Sequence, residues 1–309
     1  MILMCRNHMV YDTDTEFVYN HNLLSGYMRR NPCKATFKAW VKLRYSSNTN
    51  ILARKLKGVT FGQGNRVTID KVTHMFSLSD CYWMKDKQSS LTFEMMSPYF
   101  RNFWKGEGVY SKAQGLSIPT LYVGGYLPKE WFSARYLYKY GDGLGIEEDV
   151  SLLCKACKIP VCSVERILNG VRVENFTSPT LMLEQANQSG LLDPDDFNED
   201  DIIKLFGLFG AQMLIIDAIT GNGDRHAGNF GWLKSSNTGK YISPAPLYDF
   251  DHALDSKLSC DRLIEDAVSA IRKFGYIQEA IRICNTVLNL DTVQIFKLRA
   301  TEALKLLYK

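Results

Sequence analysis

The sequence predicts an α+β protein of two unequal lobes, with an extra mixed segment on the N-terminal side. Three observations point there. The chain has 309 residues, comfortable for two lobes and long for one small domain. Its patterns run from a mixed, aromatic-rich segment through a small sheet with one helix to a mostly helical region. A glycine turn, Gly124-Gly125, opens the sheet. The expected boundaries are residues 1–115, 116–176 and 177–309.

Each element has its own signal. Ala35 to Leu56 reads as a helix with Phe37, Trp40, Val41 and Leu43 among basic residues. Arg44, Arg54, Lys55 and Lys57 give it a charged face, either solvated or able to meet a polyanion. Met75 to Trp83 reads as buried turn-and-strand material. Thr120 to Val123 is a short strand, and Lys129 to Tyr140 a second, from the aromatic spacing of Trp131, Phe132, Tyr136 and Tyr138. Ile146 to Lys158 is a helix stopped by Pro160. Val161 to Ile167 and Gly170 to Phe176 are two more strands. An acidic loop around Asp193 to Asp201 caps one apolar helix, Asp201 to Ile219, which is expected to be buried. Leu263 to Tyr308 reads as helices with a break near Phe274-Gly275.

Composition excludes several classes. Hydrophobic residues make up 46% and charged residues 23%, which is neither disordered nor fibrous. With 37 basic and 33 acidic residues, the balance gives no reason to expect direct nucleic-acid binding. Eight cysteines in a chain this long do not make a disulfide scaffold. Cys154, Cys157 and Cys162 lack the second pair a zinc site needs and read as small buried side chains. The apolar stretch Leu205 to Thr220 carries two glycines and Asp217, too short and polar for a membrane span. A cytoplasmic protein is expected, with secretion or delivery to another cell left open.

Chemistry concentrates in two segments. In Gly221 to Leu233, GNGDRHAGNFGWL, glycines allow a tight turn that presents Asp224, Arg225, His226 and Asn229. Phosphoryl transfer needs a carboxylate to orient an acceptor hydroxyl and take its proton, and a neutral oxygen donor for a magnesium ion. In Pro244 to Leu254, PAPLYDFDHAL, Leu247-Tyr248 leads as a short strand into Asp249, a suitable carboxylate for hard Mg²⁺. Asp251 is a second metal candidate, or equally a cap for the following turn. His226 either shapes this loop and touches a transferring phosphate or is purely structural, and Asp217 braces the loop from the helix end. Gly106 to Tyr110 and Gly62-Gln63-Gly64 imitate glycine loops but read as surface turns.

These two segments resemble the catalytic and metal loops of the HipA-like serine/threonine kinases, a group that includes compact CtkA-like proinflammatory members. GDRH followed by DFD is also similar to phosphatidylinositol kinases, and MFSLSDCYW resembles HipA-like proteins of Gram-positive bacteria and their phages. The similarity runs from about Pro119 to Leu254. It implies a two-lobed protein-kinase-like fold using ATP and Mg²⁺. Asp224 corresponds to the general base, and Asn229 and Asp249 to the magnesium ligands. Lys139 corresponds to the lysine that pairs with ATP phosphates, or it is a solvent-facing strand residue. Gly124-Gly125 and Lys129 correspond to the phosphate-covering loop. Glu174 and Phe176 would line the adenine site, and Tyr248 is grouped with these cofactor contacts.

The implied activity is γ-phosphate transfer to a protein hydroxyl, with autophosphorylation. The alternatives are a lipid or small-molecule kinase of the same fold, or a toxin–antitoxin or corepressor-type module that acts by contact. A protein substrate and an antitoxin-like partner are the implied partners, with no membrane. Two departures stand out: Tyr122 occupies the place of a regulatory serine, and Asp251 stands where other kinases have glycine.

Overall fold

Apolar alternation at the start of the chain produces a small sheet. β1 (Ile2–Cys5) pairs antiparallel with β2 (His8–Asp12) and with β3 (Tyr82–Lys85), in the order β2-β1-β3. This computed structural model describes residues 1–44, 74–100, 129–254 and 260–309. The expected strand at 120–123, Gly124, Gly125, Tyr122, the glycine turns at 62–64 and 106–110, and Arg54, Lys55 and Lys57 lie outside the described residues.

The described chain divides into two compact units: Met1–Gly141, Glu174–Leu191 and Trp232–Ser243 form the first, and Asp142–Val173, Leu192–Gly231 and Pro244–Lys309 the second. In the first, α1 (Lys34–Arg44) buries Trp40 against Tyr82, ring centroids 5.2 Å apart and edge-on. Phe76 stacks on Trp83 at 5.4 Å. Met75 to Trp83 is buried as expected, apart from half-exposed Ser79. Arg44 differs from the sequence reading. It is buried, and its guanidinium grips Asp80 at 2.8 and 2.6 Å, so it belongs to neither a solvated face nor a polyanion surface.

Lys129 to Tyr140 is a hairpin rather than one strand. β4 (Lys129–Trp131) runs antiparallel to β5 (Tyr136–Tyr140), with Lys129 opposite Lys139. Trp131 and Phe132 are adjacent, which breaks a period of two, and the Phe132 N–H closes the turn onto the Tyr136 carbonyl at 3.0 Å.

The first unit also holds three strands that the sequence pattern did not reveal. β8 (Leu181–Gln185), β9 (Gly231–Ser235) and β10 (Tyr241–Pro244) form a sheet in the order β10-β9-β8. Lys234 on β9 has no exposed side-chain surface. Its ammonium donates to the Leu24 carbonyl at 2.7 Å, to Glu184 Oε1 at 3.1 Å and to Tyr82 Oη at 3.3 Å. Glu184 Oε1 also accepts from the Gly26 N–H at 2.9 Å, and Oε2 from Tyr241 Oη at 2.5 Å. Burial pulls the Lys234 pKa down and Glu184 opposes it. This network ties the N-terminal segment to the sheet.

In the second unit, α2 (Gly145–Ala156) precedes a hairpin of β6 (Val164–Ile167) and β7 (Gly170–Glu174), so the last expected strand ends two residues early. The acidic loop leads into a capping box: Asn198 accepts from the Asp201 N–H while Asp201 accepts from the Asn198 N–H. The long apolar helix is two helices, α3 (Glu199–Phe206) and α4 (Leu208–Thr220). Gly207 separates them with φ 57° and ψ −129°, a conformation that only glycine adopts readily. α4 is buried nearly all round, packed against α5 (Cys260–Lys273), α6 (Ile277–Asn289) and α7 (Gln294–Leu307). The helical tail breaks at Gly275 as expected and again at Leu290.

Cys5, Cys81, Cys154, Cys157, Cys162 and Cys284 are buried. Burial pushes the Cys157 thiol up to about 11 and Cys154 well above its ordinary value, which makes them poor metal ligands and nucleophiles. Among the described residues, no helix is long and apolar enough to cross a membrane.

Candidate functional site

The site grows from the end of α4. Gly221 closes this helix in the left-handed conformation, φ 69°, with its N–H on the Asp217 carbonyl. A side chain here would be strained, and its Cβ would fall 2.2 Å from Arg299 Nη1 on α7. Gly221→Ala is therefore expected to lower stability by at least about 1 kcal/mol from the left-handed backbone alone, measurable by urea denaturation.

The buried helix carries one carboxylate, Asp217, facing the turn. Asp217 Oδ1 accepts from Asn222 Nδ2 at 2.9 Å and from Arg225 Nη2 at 2.8 Å, and Oδ2 accepts from Arg225 Nε at 2.9 Å. This buried bidentate pair fixes the loop against the helix. Burial would weaken Arg225's hold on its proton, but Asp217 more than offsets it, so the guanidinium stays charged.

Beyond this brace the turn opens to solvent. Asp224 is half-exposed and places Oδ2 3.9 Å from His226 Nε2 and 3.8 Å from His252 Nε2. The Gly228 N–H donates to His226 Nδ1 at 3.0 Å, so a neutral His226 ring carries its proton on Nε2, the nitrogen facing Asp224. Asn229 is buried. Its Nδ2 donates to the Asp224 carbonyl at 3.1 Å, which leaves the amide oxygen as the atom suited to a cation.

The second loop returns beside the first. Tyr248 Oη donates to the Gly228 carbonyl at 2.9 Å, and its own carbonyl accepts from Arg225 Nη1 at 3.0 Å. Asp249 follows with φ 62°, a conformation uncommon outside glycine. One carboxylate oxygen from each of Glu147, Asp249 and Asp251 lies within 4.8 Å of the others. Three hard oxygen donors this close suit Mg²⁺ better than a soft metal.

Asp224, His226, Asn229, Tyr248, Asp249 and Asp251 are all in the second unit, on two loops that hydrogen-bond to each other. Lys129, Lys139, Glu174 and Phe176 are in the first unit. Lys139 is only 3% exposed, which removes the solvent-facing alternative. Glu174 pairs with Arg135 at 3.0 Å, and the following Asn175 N–H donates to the Arg135 carbonyl at 2.7 Å, holding the segment that leads to Phe176.

The sequence reading assigns no role to three residues at the site. Glu147 lies on α2, far from both loops in sequence. Arg225 is named in that reading among the residues the turn presents, without a role. His252 enters it only within the segment PAPLYDFDHAL. A buried glutamate at a helix start carries no local signature. The only cue for Arg225 is a charged residue between two glycines, after a helix with a lone aspartate.

No protein-family model matches the sequence, and no curated protein matches it. Solved structures do match. HipA of Shewanella oneidensis MR-1, from a toxin–antitoxin complex with HipB and its operator DNA, aligns with 99% of this chain and 96% of its own at TM-score 0.56 and 12% identity. The fold is HipA-like. At this identity the likeness is one of fold. The Helicobacter pylori proinflammatory kinase CtkA aligns with 57% of this chain and 88% of its own, at TM-score 0.38 and 17% identity.

Proposed function

We propose that the chain is a Mg²⁺-ATP-dependent serine/threonine protein kinase. The observation that carries this reading is the convergence of a solvent-facing carboxylate, Asp224, with a buried amide, Asn229, and three clustered carboxylates, Glu147, Asp249 and Asp251. A base and a hard-cation site in adjoining loops are the minimum that phosphoryl transfer asks of a protein.

In this reading Asp224 orients the acceptor hydroxyl and takes its proton. The new O–P bond forms on the γ-phosphorus as its bond to the β–γ bridging oxygen breaks, and ADP leaves. Asp249, Asp251 and Glu147, with the Asn229 amide oxygen, would hold Mg²⁺, which neutralises phosphate charge when bound. His226 Nε2–H stands beside the base, where it can meet the transferring group. Lys129 and Lys139 occupy directly opposite strand positions. Both would meet the ATP phosphates. Gly124 and Gly125 would cover the phosphates, and Glu174 to Phe176 would contact adenine. HipA's presence in a complex with HipB supports an antitoxin-like protein as a partner.

Calorimetry with ATP tests the nucleotide half of this reading. ATP should bind at least about tenfold more tightly with Mg²⁺ than without, and Asp249→Asn should remove most of that difference. Equal affinity with and without Mg²⁺ would contradict the reading.

A further inference from the structure

We infer that Arg225 is the positioning residue that sets the two metal-binding loops at their working separation, with Asp217 as its anchor. This rests on the functional reading above and extends it to residues outside the metal-binding set.

The geometry is specific. The Arg225 guanidinium uses Nε and Nη2 on Asp217, which fixes its plane against the end of α4. Nη1 is then aimed at two carbonyls. One belongs to Asn229, at 2.8 Å, and the other to Tyr248, the residue before Asp249, at 3.0 Å. The guanidinium carbon lies 4.7 Å from the centre of the Phe250 ring, the residue after Asp249. Arg225 therefore holds the backbone of one candidate ligand and both chain neighbours of another.

Asp249 needs such a hold. Its positive φ persists only where the surroundings over-determine the backbone, and Tyr248 and Phe250 supply contacts on either side. The arginine is buried and saturated by these partners, so it is not available to bind a substrate phosphate. Mg²⁺ demands near-ideal octahedral geometry, so a shift of one loop against the other should be felt first in metal affinity. Lysine could not reproduce this, because an ammonium lacks the planar fork that addresses a carboxylate and two carbonyls together.

The test uses the full chain and Mn²⁺ as probe, with bound metal counted by loss of the free-ion paramagnetic resonance signal, and requires no turnover. Arg225→Lys and Asp217→Asn should each weaken Mn²⁺ binding about 10–100-fold, the usual effect of removing an outer-shell partner. Both should keep the parent's circular dichroism and a cooperative thermal transition. The double variant should lose little more than either single one, because the two residues act as a unit. If Arg225→Lys does not fold, Asp217→Asn carries the comparison. Folded variants that bind Mn²⁺ within threefold of the parent would overturn the proposal and leave the kinase reading standing. A parent chain that binds no Mn²⁺ would overturn both.

Discussion

Asp224→Asn is expected to lower γ-phosphate transfer by about 10²–10⁴-fold, the range that a positioned general base contributes. The substitution keeps the side chain's shape and removes only its capacity to accept a proton while negatively charged. Asp224 is half-exposed, and the loop is held by Arg225, Asp217 and the Gly228–His226 contact, none of which uses its carboxylate. The stability change should therefore stay within about 0.5 kcal/mol. ATP affinity in the presence of Mg²⁺ should also be unchanged, so the loss appears in kcat rather than KM. Steady-state kinetics beside thermal denaturation separates this outcome from simple unfolding.

Lys234→Met is expected to have the largest effect on stability, a loss of about 3–5 kcal/mol. The methionine fits the space but leaves Glu184 as a buried charge without its cation. Tyr241 and the Gly26 N–H would remain as its donors, too few to offset the desolvation. Adding Glu184→Gln should restore a good part of the loss, since a neutral amide can still accept from Gly26. Urea denaturation of the two single variants and the double variant gives the coupling directly. A single-variant loss below about 1 kcal/mol, the value of an ordinary surface pair, would contradict the structural role assigned to Lys234.

The sequence revealed local chemistry well and long-range closure poorly. The glycine turn after a buried helix and the Asp224-to-Asn229 spacing are short-range patterns, and the structure joins this loop to the one that carries Asp249 by hydrogen bonds, whereas the strand expected at Leu247-Tyr248 is only an isolated bridge from Leu247 to Val161. The burial of Met75 to Trp83 and the acidic cap at Asp201 were legible for the same reason. Glu147 was not, because its approach to Asp249 and Asp251 depends on how α2 packs. Arg44 and Lys234 look like surface cations in sequence and turn out buried, each with a carboxylate partner far along the chain. Gly207 was hidden inside a continuous apolar run: hydrophobic periodicity cannot register a helix break when both halves are buried. The strand β8 escaped because its partner β9 comes from a distant segment, and the start of the β9–β10 hairpin was read as the end of the loop Gly221 to Leu233.

The central claim is γ-phosphate transfer by this chain with Asp224 as base. The most direct measurement incubates the purified full chain with γ-labelled ATP and Mg²⁺, alone and with separate protein and lipid fractions, beside Asp224→Asn. The account predicts label on serine or threonine hydroxyls of protein, dependent on Mg²⁺ and lost in the variant. No transfer to protein, transfer confined to lipid, or equal labelling by the variant would contradict it.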